Sequence, residues 1–321
     1  MNGTVPGREP NLIVAGTNKA GTTSLYYHLA AHPGICASRI KETGFFDRWE
    51  IEKGLAGLDT YRAHFSHCGD QSWIMESTPS YFSGGRLVAE TIREYLGGIR
   101  IILSFRNPID RLFSLYRSQK GVFRIDRNLS FAEYVEVCLS GTRRAESWVY
   151  GPGSIEYGYY DQVFPAWIEI FGSTLKVLFF EHLISDPQAS LTDICTWLAL
   201  DPGPLMDRSF RNENPSLAFR SAALHQLASR FTNQRPGRRV RLPQGVKRRL
   251  RSLYERLNGR VLDESLDDYP EVVTHLTGIF EPHNREFAGQ LREYDPGLDL
   301  PGWLTSSDRT GEGGEDRPVS A

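Results

Sequence analysis

The chain of 321 residues can bury one large core or two modest ones. With 37 basic against 39 acidic residues and a net charge of −2, it lacks the bulk charge that draws a protein to nucleic acid or to an anionic membrane. Cys36, Cys68, Cys138 and Cys195 are scattered without a C-x-x-C pair, which predicts free thiols in a reducing compartment and neither a disulfide framework nor a zinc site. Residues 1–10 are polar, without the apolar centre of a signal peptide, and no later run approaches the ~20 apolar residues that span a bilayer. The expectation is a soluble cytoplasmic protein with no membrane and no nucleic-acid partner.

NLIVAG, from Asn11 to Gly16, is a short apolar run ending in glycine and predicts a buried parallel strand; TTSLYYHLAAH, after a loop, has helical spacing. GICASRI is a short strand-like segment. SWIMES (Ser72 to Ser77), RIILSF (Arg100 to Phe105) and LKVLFF (Leu175 to Phe180) predict three further strands, separated by patterned helices such as GGRLVAETIREYL and PIDRLFSLYRSQK. Four strands with helical crossovers imply an α/β fold whose mainly parallel sheet opens a ligand crevice beyond the carboxyl ends of its strands. After Leu200 helical patterns take over, in SLAFRSAALHQLASRF, GVKRRLRSLYERLN and EVVTHLTGIFEPHNREFAGQL. The expected organisation is a flexible N-terminus over 1–10 and a single domain over 11–304. Within it, a sheet core over 11–200 precedes a mostly helical extension over 201–304, and a tail over 305–321, rich in Gly, Ser and charge, is expected to be disordered.

The loop between the first strand and helix, GTNKAGTTS, is built for an anion. Gly16 and Gly21 let backbone amides converge, the helix start adds partial positive charge, and Thr22, Thr23 and Ser24 add hydroxyls. In the nucleoside-triphosphate loop G-x-x-x-x-G-K-[ST] the lysine follows the second glycine; here that place is Thr22, and Lys19 lies inside the loop. A triphosphate site also needs magnesium, commonly held by an aspartate ending a neighbouring strand. The strands here end in Glu76 and Glu181 instead, which weakens a kinase reading. A sulfuryl group carries a single negative charge, so its transfer can proceed without a divalent metal.

A second anion site is expected at RNPIDRLFSLYRSQ. Arg106 follows a strand directly, Pro108 can open a helix and Ser114 lies two turns into it. A guanidinium there can grip phosphate through two parallel hydrogen bonds; Arg111 suits an ion pair within the fold as well. Glu42, in SRIKETGFFDRW, precedes an aromatic pair that could shield a site from water; standing alone, the stretch reads as an exposed loop carboxylate paired with Lys41, the reading that competes with a general base. His28 and His32 read as helix-surface or C-terminal capping residues. His64 and His67 could line an acceptor pocket, with no third ligand evident for a metal.

Together GTNKAGTTSLYYHLAAHP, KETGFFD, ESTPSYF and RNPIDRLFSLYRSQ resemble, in order, the landmarks of sulfotransferases that use 3′-phosphoadenosine 5′-phosphosulfate, most of all the carbohydrate branch that includes heparan sulfate sulfotransferases and bacterial relatives. The resemblance implies an α/β fold with a P-loop-like central parallel sheet flanked by helices and a mostly helical C-terminal extension. It implies donor contacts at Lys19, Ala20, Gly21, Thr22, Thr23, Ser24, Arg106 and Ser114, and at Arg220 through NPSLAFRSAALHQL. Lys19 would steady the leaving phosphate, Glu42 would be the base, and adenosine 3′,5′-bisphosphate would be released without a metal.

The relatives' lysine after the glutamate of E-x-[ST]-P-x-Y-F is Ser77 here, which argues against a highly anionic polysaccharide. Ser77, Tyr81 and His64 are candidate acceptor contacts, for a small-molecule or glycan hydroxyl. The basic stretch from Arg235 to Arg251 suits a lid over donor phosphates, a patch for an anionic acceptor, or a solvated face. The competing functions are a small-molecule kinase and a nucleotide-binding module that has lost turnover. The absence of an apolar anchor favours a bacterial biosynthetic setting, such as natural-product formation, over a Golgi one.

Overall fold

The computed structural model describes residues 8–141, 153–206, 217–219, 259–261 and 264–305, with the backbone alone at 217–219 and 259–261. The chain divides into two compact units, the first formed by Met1–Pro108, Tyr159–Arg211 and Leu276–Ala321, the second by Ile109–Gly158 and Asn212–His275.

The first unit holds β1 (Leu12–Gly16), α1 (Thr22–Leu29), β2 (Ile35–Ala37), α2 (Arg48–Glu52), α3 (Leu58–Arg62), β3 (Trp73–Ser77), α4 (Gly85–Leu96) and β4 (Arg100–Phe105). The helix α5 (Pro108–Gly121) leads into the second unit, which also holds α6 (Phe131–Ser140). The first unit resumes with α7 (Tyr160–Phe171), β5 (Leu175–Phe179), α8 (Phe180–Ser185), α9 (Pro187–Trp197) and α10 (Gly203–Met206). Its strands form one wholly parallel sheet in the order β2-β3-β1-β4-β5. From β1 the chain crosses to one side for β2 and β3 and to the other for β4 and β5, so the crevice falls at the carboxyl ends of β1 and its neighbours.

Burial on both faces explains the unbroken apolar strands. Leu12 and Val14 pack with Leu25 and Leu29 of α1 and with Leu191 and Ile194 of α9. Ile13 and Ala15 point the other way, into a core with Val88, Ile92, Phe164 and Trp167 from α4 and α7. At the amino end of the sheet the Arg100 guanidinium lies between the rings of Trp73 and Trp197, 5.0 and 4.7 Å from their centres, an attraction that lets a cation close an apolar sheet edge. Later in the chain the first unit receives most of α11 (Pro270–Tyr294), which contributes Phe287 and Leu291 to the second of these cores, and α12 (Gly302–Thr305).

In the second unit, rings of Phe113, Tyr116, Phe131 and Tyr134 pack together. Ser130 and Glu133 form a reciprocal cap that starts α6. Lys120 is buried and satisfied by the Tyr116 hydroxyl at 2.6 Å, the Leu129 carbonyl at 2.9 Å and Glu264 at 2.5 Å.

Four readings need correction. Leu217–Phe219, within a segment expected to be helical, is a strand, β6, paired antiparallel with β7 (Gly259–Val261); a three-residue ladder has no room for a periodicity to register. Cys36 and Cys68 are not free thiols: β2 and the turn after α3 bring their Cα atoms to 5.7 Å and the sulfurs are joined, whereas Cys138 and Cys195 are free and buried. His28 is buried, because nearly the whole of α1 is enclosed and not one stripe of it. His32 is buried too: its Nδ1 accepts from the Gly34 amide at 2.9 Å, which leaves Nε2 to donate to the Asp201 carbonyl at 2.8 Å. The second basic helical pattern, the stretch 235–251, Arg220 and the tail beyond Thr305 lie outside the described residues.

Candidate active site

The loop from Thr17 to Gly21 is shaped by β4. The Thr17 amide and hydroxyl both donate to the Ser104 carbonyl, at 2.7 and 3.1 Å, and the Ser104 hydroxyl donates to the Ala20 carbonyl at 2.6 Å. One residue past the strand, Arg106 Nη1 donates to the Lys19 carbonyl at 3.3 Å. Lys19 and Gly21 both take left-handed backbone, at φ 71° and 80°, which curls successive amides toward one side. Gly21 is also the N-cap of α1, and a Cβ there would meet Phe180 at 2.9 Å. Ala20, Thr22 and Ser24 are buried and Thr23 is half-buried.

Cations gather at this loop. Burial first, and then the Arg106 charge, pull the Lys19 ammonium down to about 8, with Lys41 adding to the fall and the Glu42 carboxylate opposing it. Arg106 lies over the Phe180 ring at 4.3 Å, and its carbonyl accepts from the Tyr160 hydroxyl at 2.9 Å. Phe180 therefore touches both the guanidinium and the turn at Gly21. The adjoining Glu181 accepts from the Asn107 amide at 2.9 Å and so holds the turn after β4. No local pattern marks a ring that packs against two loops.

Glu42 stands at φ 54°. Its side chain is half exposed and accepts from Lys41 Nζ at 2.9 Å, the pairing that the competing sequence reading anticipates, while its charge is felt at Lys19. The residues after it are fixed by Glu76, which has no exposed surface. Glu76 Oε1 accepts from the hydroxyls of Thr43 at 2.5 Å, Thr78 at 2.6 Å and Tyr81 at 2.9 Å, and Oε2 from Tyr61 at 2.5 Å. Burial raises the Glu76 carboxyl above its ordinary range against the pull of these four donors. Thr78 also accepts from the Gly44 amide at 3.3 Å, and Tyr81 from the Phe46 amide at 3.1 Å.

Tyr81, expected as an acceptor contact, is thus enclosed and its hydroxyl committed within the fold. Ser77 is equally enclosed, and its Oγ has no hydrogen-bond partner among the described residues. His64 is half-buried, and its carbonyl accepts from the Arg39 amide at 3.0 Å. Ser114 is half-buried on α5, in the second unit. His67 Nε2 lies 3.6 Å from the Cys36 sulfur, which is bonded to Cys68.

Asp47 was missed by sequence reasoning, although it closes the KETGFFD motif. It is buried, accepts from the Ser80 hydroxyl at 2.5 Å and is pushed up to about 6, chiefly by burial. Its charged neighbours are the carboxylates of Glu76, Glu42 and Glu50, each adding to the rise, and a carboxyl shifted in this way is a functional candidate in its own right.

A parallel sheet with a left-handed anion loop at its carboxyl edge and converging cations defines an α/β protein of the phosphate-loop kind. More narrowly, the chain belongs to the sulfotransferase domain family, which matches residues 9–206. This is the class of transferases whose sulfuryl donor is 3′-phosphoadenosine 5′-phosphosulfate.

The human heparan sulfate glucosamine 3-O-sulfotransferase 6 is 26% identical to the chain over 275 residues, 82% of this chain and 75% of that protein. The Dictyostelium discoideum membrane-associated sulfotransferase kil1 is 30% identical over 149 residues, 42% of this chain and 31% of that protein. The match to the human bifunctional heparan sulfate N-deacetylase/N-sulfotransferase 2, at 23% identity, takes in 92% of this chain and likewise 31% of that protein. A solved sulfotransferase from Alicyclobacillus acidocaldarius shares the fold, with a TM-score of 0.54 at 20% identity over 78% of this chain and 92% of that one. Among the described residues no helix is long and apolar enough to cross a membrane.

Proposed function

We propose that the chain transfers a sulfuryl group from 3′-phosphoadenosine 5′-phosphosulfate to an acceptor hydroxyl, releasing adenosine 3′,5′-bisphosphate. The observation that carries this reading is the Lys19 ammonium, held among Arg106, Lys41 and Glu42 and lowered to about 8 by burial and like charge. Such a cluster is costly without an anion, and the chemistry of its donor set fits a phosphosulfate. The donor supplies an activated sulfuryl group on a good leaving phosphate.

The chain's own residues divide the remaining work. The amides of the Lys19–Gly21 turn and the start of α1 bind the 5′-phosphate. The Lys19 ammonium holds charge that builds on the leaving oxygen, where a cation in a water-poor site counts for most. Arg106, steadied by Phe180, grips the second phosphate. Glu42 takes the acceptor proton, a service typically contributing about 10²–10⁴-fold. Thr43, Gly44 and Phe46, bonded to Glu76, Thr78 and Tyr81, keep the base loop in register.

For the acceptor we infer a glycan or small-molecule hydroxyl of low negative charge. Ser77 supplies no cation, and Ile40 and Trp49, which flank KETGFFD, are exposed. The reading is tested with labelled donor against panels of neutral and sulfated hydroxyl compounds. Consumption of a nucleoside triphosphate γ-phosphate in place of donor, or loss of turnover on chelating divalent metal, would mean a kinase.

A further inference from the structure

We propose that the Cys36–Cys68 disulfide is a thiol–disulfide exchange site, served by His67, through which a dithiol reductant sets the turnover of the site containing Glu42. The claim rests on the reading of Glu42 given above. Cys36 lies in β2, and only Ala37–Lys41 separate it from Glu42. That short run is fastened to the segment after α3 by the disulfide and by Arg39, whose amide donates to the His64 carbonyl at 3.0 Å and whose Nη2 donates to Ser66 Oγ at 3.2 Å. On the far side of Glu42, Thr43 is held by Glu76, which also takes the Tyr61 hydroxyl from α3. The base is thus bracketed by a covalent tie and a buried carboxylate. Of the two, the covalent tie is the one open to chemistry.

The geometry separates the roles of the two sulfurs. Cys36 is 8% exposed, Cys68 is half-buried, and His67 is exposed. An incoming thiolate therefore meets Cys68. It forms a new S–S bond there as the Cys36–Cys68 bond breaks, and the electron pair leaves on the Cys36 sulfur, 3.6 Å from His67 Nε2. A neutral imidazole there, with its proton on Nε2, donates a hydrogen bond to the departing thiolate, which makes Cys36 a better leaving group and speeds exchange. The reductant's second thiol then displaces Cys68, so the protein gains two electrons and two protons and the dithiol becomes its own disulfide. Accessible bridges are the exchangeable ones.

The oxidised protein is incubated with dithiothreitol without denaturant, alkylated and weighed, and its sulfuryl-transfer rate is followed with labelled donor. Two new alkylation sites, Cys36 and Cys68, are expected, with Cys138 and Cys195 protected. The expected fall in kcat is about ten-fold, less than the ~100-fold that a 1 Å misplacement can cost, and oxidised glutathione restores it. Cys36→Ser should match the reduced wild type and ignore dithiothreitol. His67→Gln should slow opening severalfold and leave the position of the redox equilibrium unchanged, a split that a structural role would not produce.

A bridge that resists dithiothreitol in the folded protein, or equal kcat in the two redox forms, overturns the proposal. So does a reduced protein whose turnover follows added zinc chloride and not the bridge. If Glu42→Gln keeps full activity, the assignment of the base fails, and the thiol counts and the kcat of the two redox forms still decide the exchange.

Discussion

Thr43 donates its hydroxyl to Glu76 Oε1 across 2.5 Å, so the neighbour of the half-exposed Glu42 is tied to a carboxylate with no exposure of its own. Glu42 owes its position to contacts made by the residues beside it. Glu76→Gln would replace one arm of a four-donor acceptor with an amide NH2 facing hydroxyls. We expect a loss of about 1–3 kcal/mol in denaturant unfolding, together with a lower kcat at nearly unchanged affinity for adenosine 3′,5′-bisphosphate. Tyr61→Phe removes one donor only and should cost about 1 kcal/mol.

Glu42→Gln should lower kcat by roughly 10²–10⁴-fold. Calorimetry with adenosine 3′,5′-bisphosphate should show the same affinity as the wild type. Near-normal turnover would remove Glu42 from the role of base.

In the proposed reaction Lys19 works as the ammonium, and its folded value, about 8, lies below the ordinary 10.5. Turnover at subsaturating donor should therefore decline as pH rises through about 8, and Lys19→Ala should show negligible turnover at every pH. The sign for stability is opposite. Between about 8 and 10.5 the unfolded chain holds the proton more firmly, so raising pH through that window favours the fold, and Lys19→Ala should lose this dependence in urea unfolding.

Asp47 shifts the other way, from 3.8 to about 6. Its protonated form is favoured in the fold, so this contribution is fully present below 3.8 and is lost as pH rises through about 6. Relative to Asp47→Asn, the wild type should lose up to roughly 3 kcal/mol between pH 4 and pH 7. Unfolding curves of both proteins across that range measure it.

Much of the scaffold is legible in the chain, because strands buried on two faces must be apolar throughout. Leu12 and Val14 serve one core and Ile13 and Ala15 the other. The loop between β1 and α1 is legible as well, since Gly16, Lys19 and Gly21 lie within a single short stretch. What escapes is whatever depends on distant parts of the chain meeting. Cys36 and Cys68 stand 32 positions apart, Phe180 comes from a different strand end than the loop it supports, and Glu76 looks like a strand-end carboxylate until Tyr61 and Thr43 close around it. His28 escapes because a helix enclosed nearly all round has no broad polar face to contrast with its apolar one.

The left-handed backbone at Lys19 makes two separable demands on one position. An L-residue with a side chain costs roughly 1–2 kcal/mol in that conformation, so a residue kept there for its amide alone would most cheaply be glycine. Lys19→Gly should therefore raise thermal stability and retain part of the affinity for adenosine 3′,5′-bisphosphate while losing turnover, whereas Lys19→Ala keeps the strain and loses the charge. Comparing the two substitutions would weigh the shape of the loop against the cation it carries.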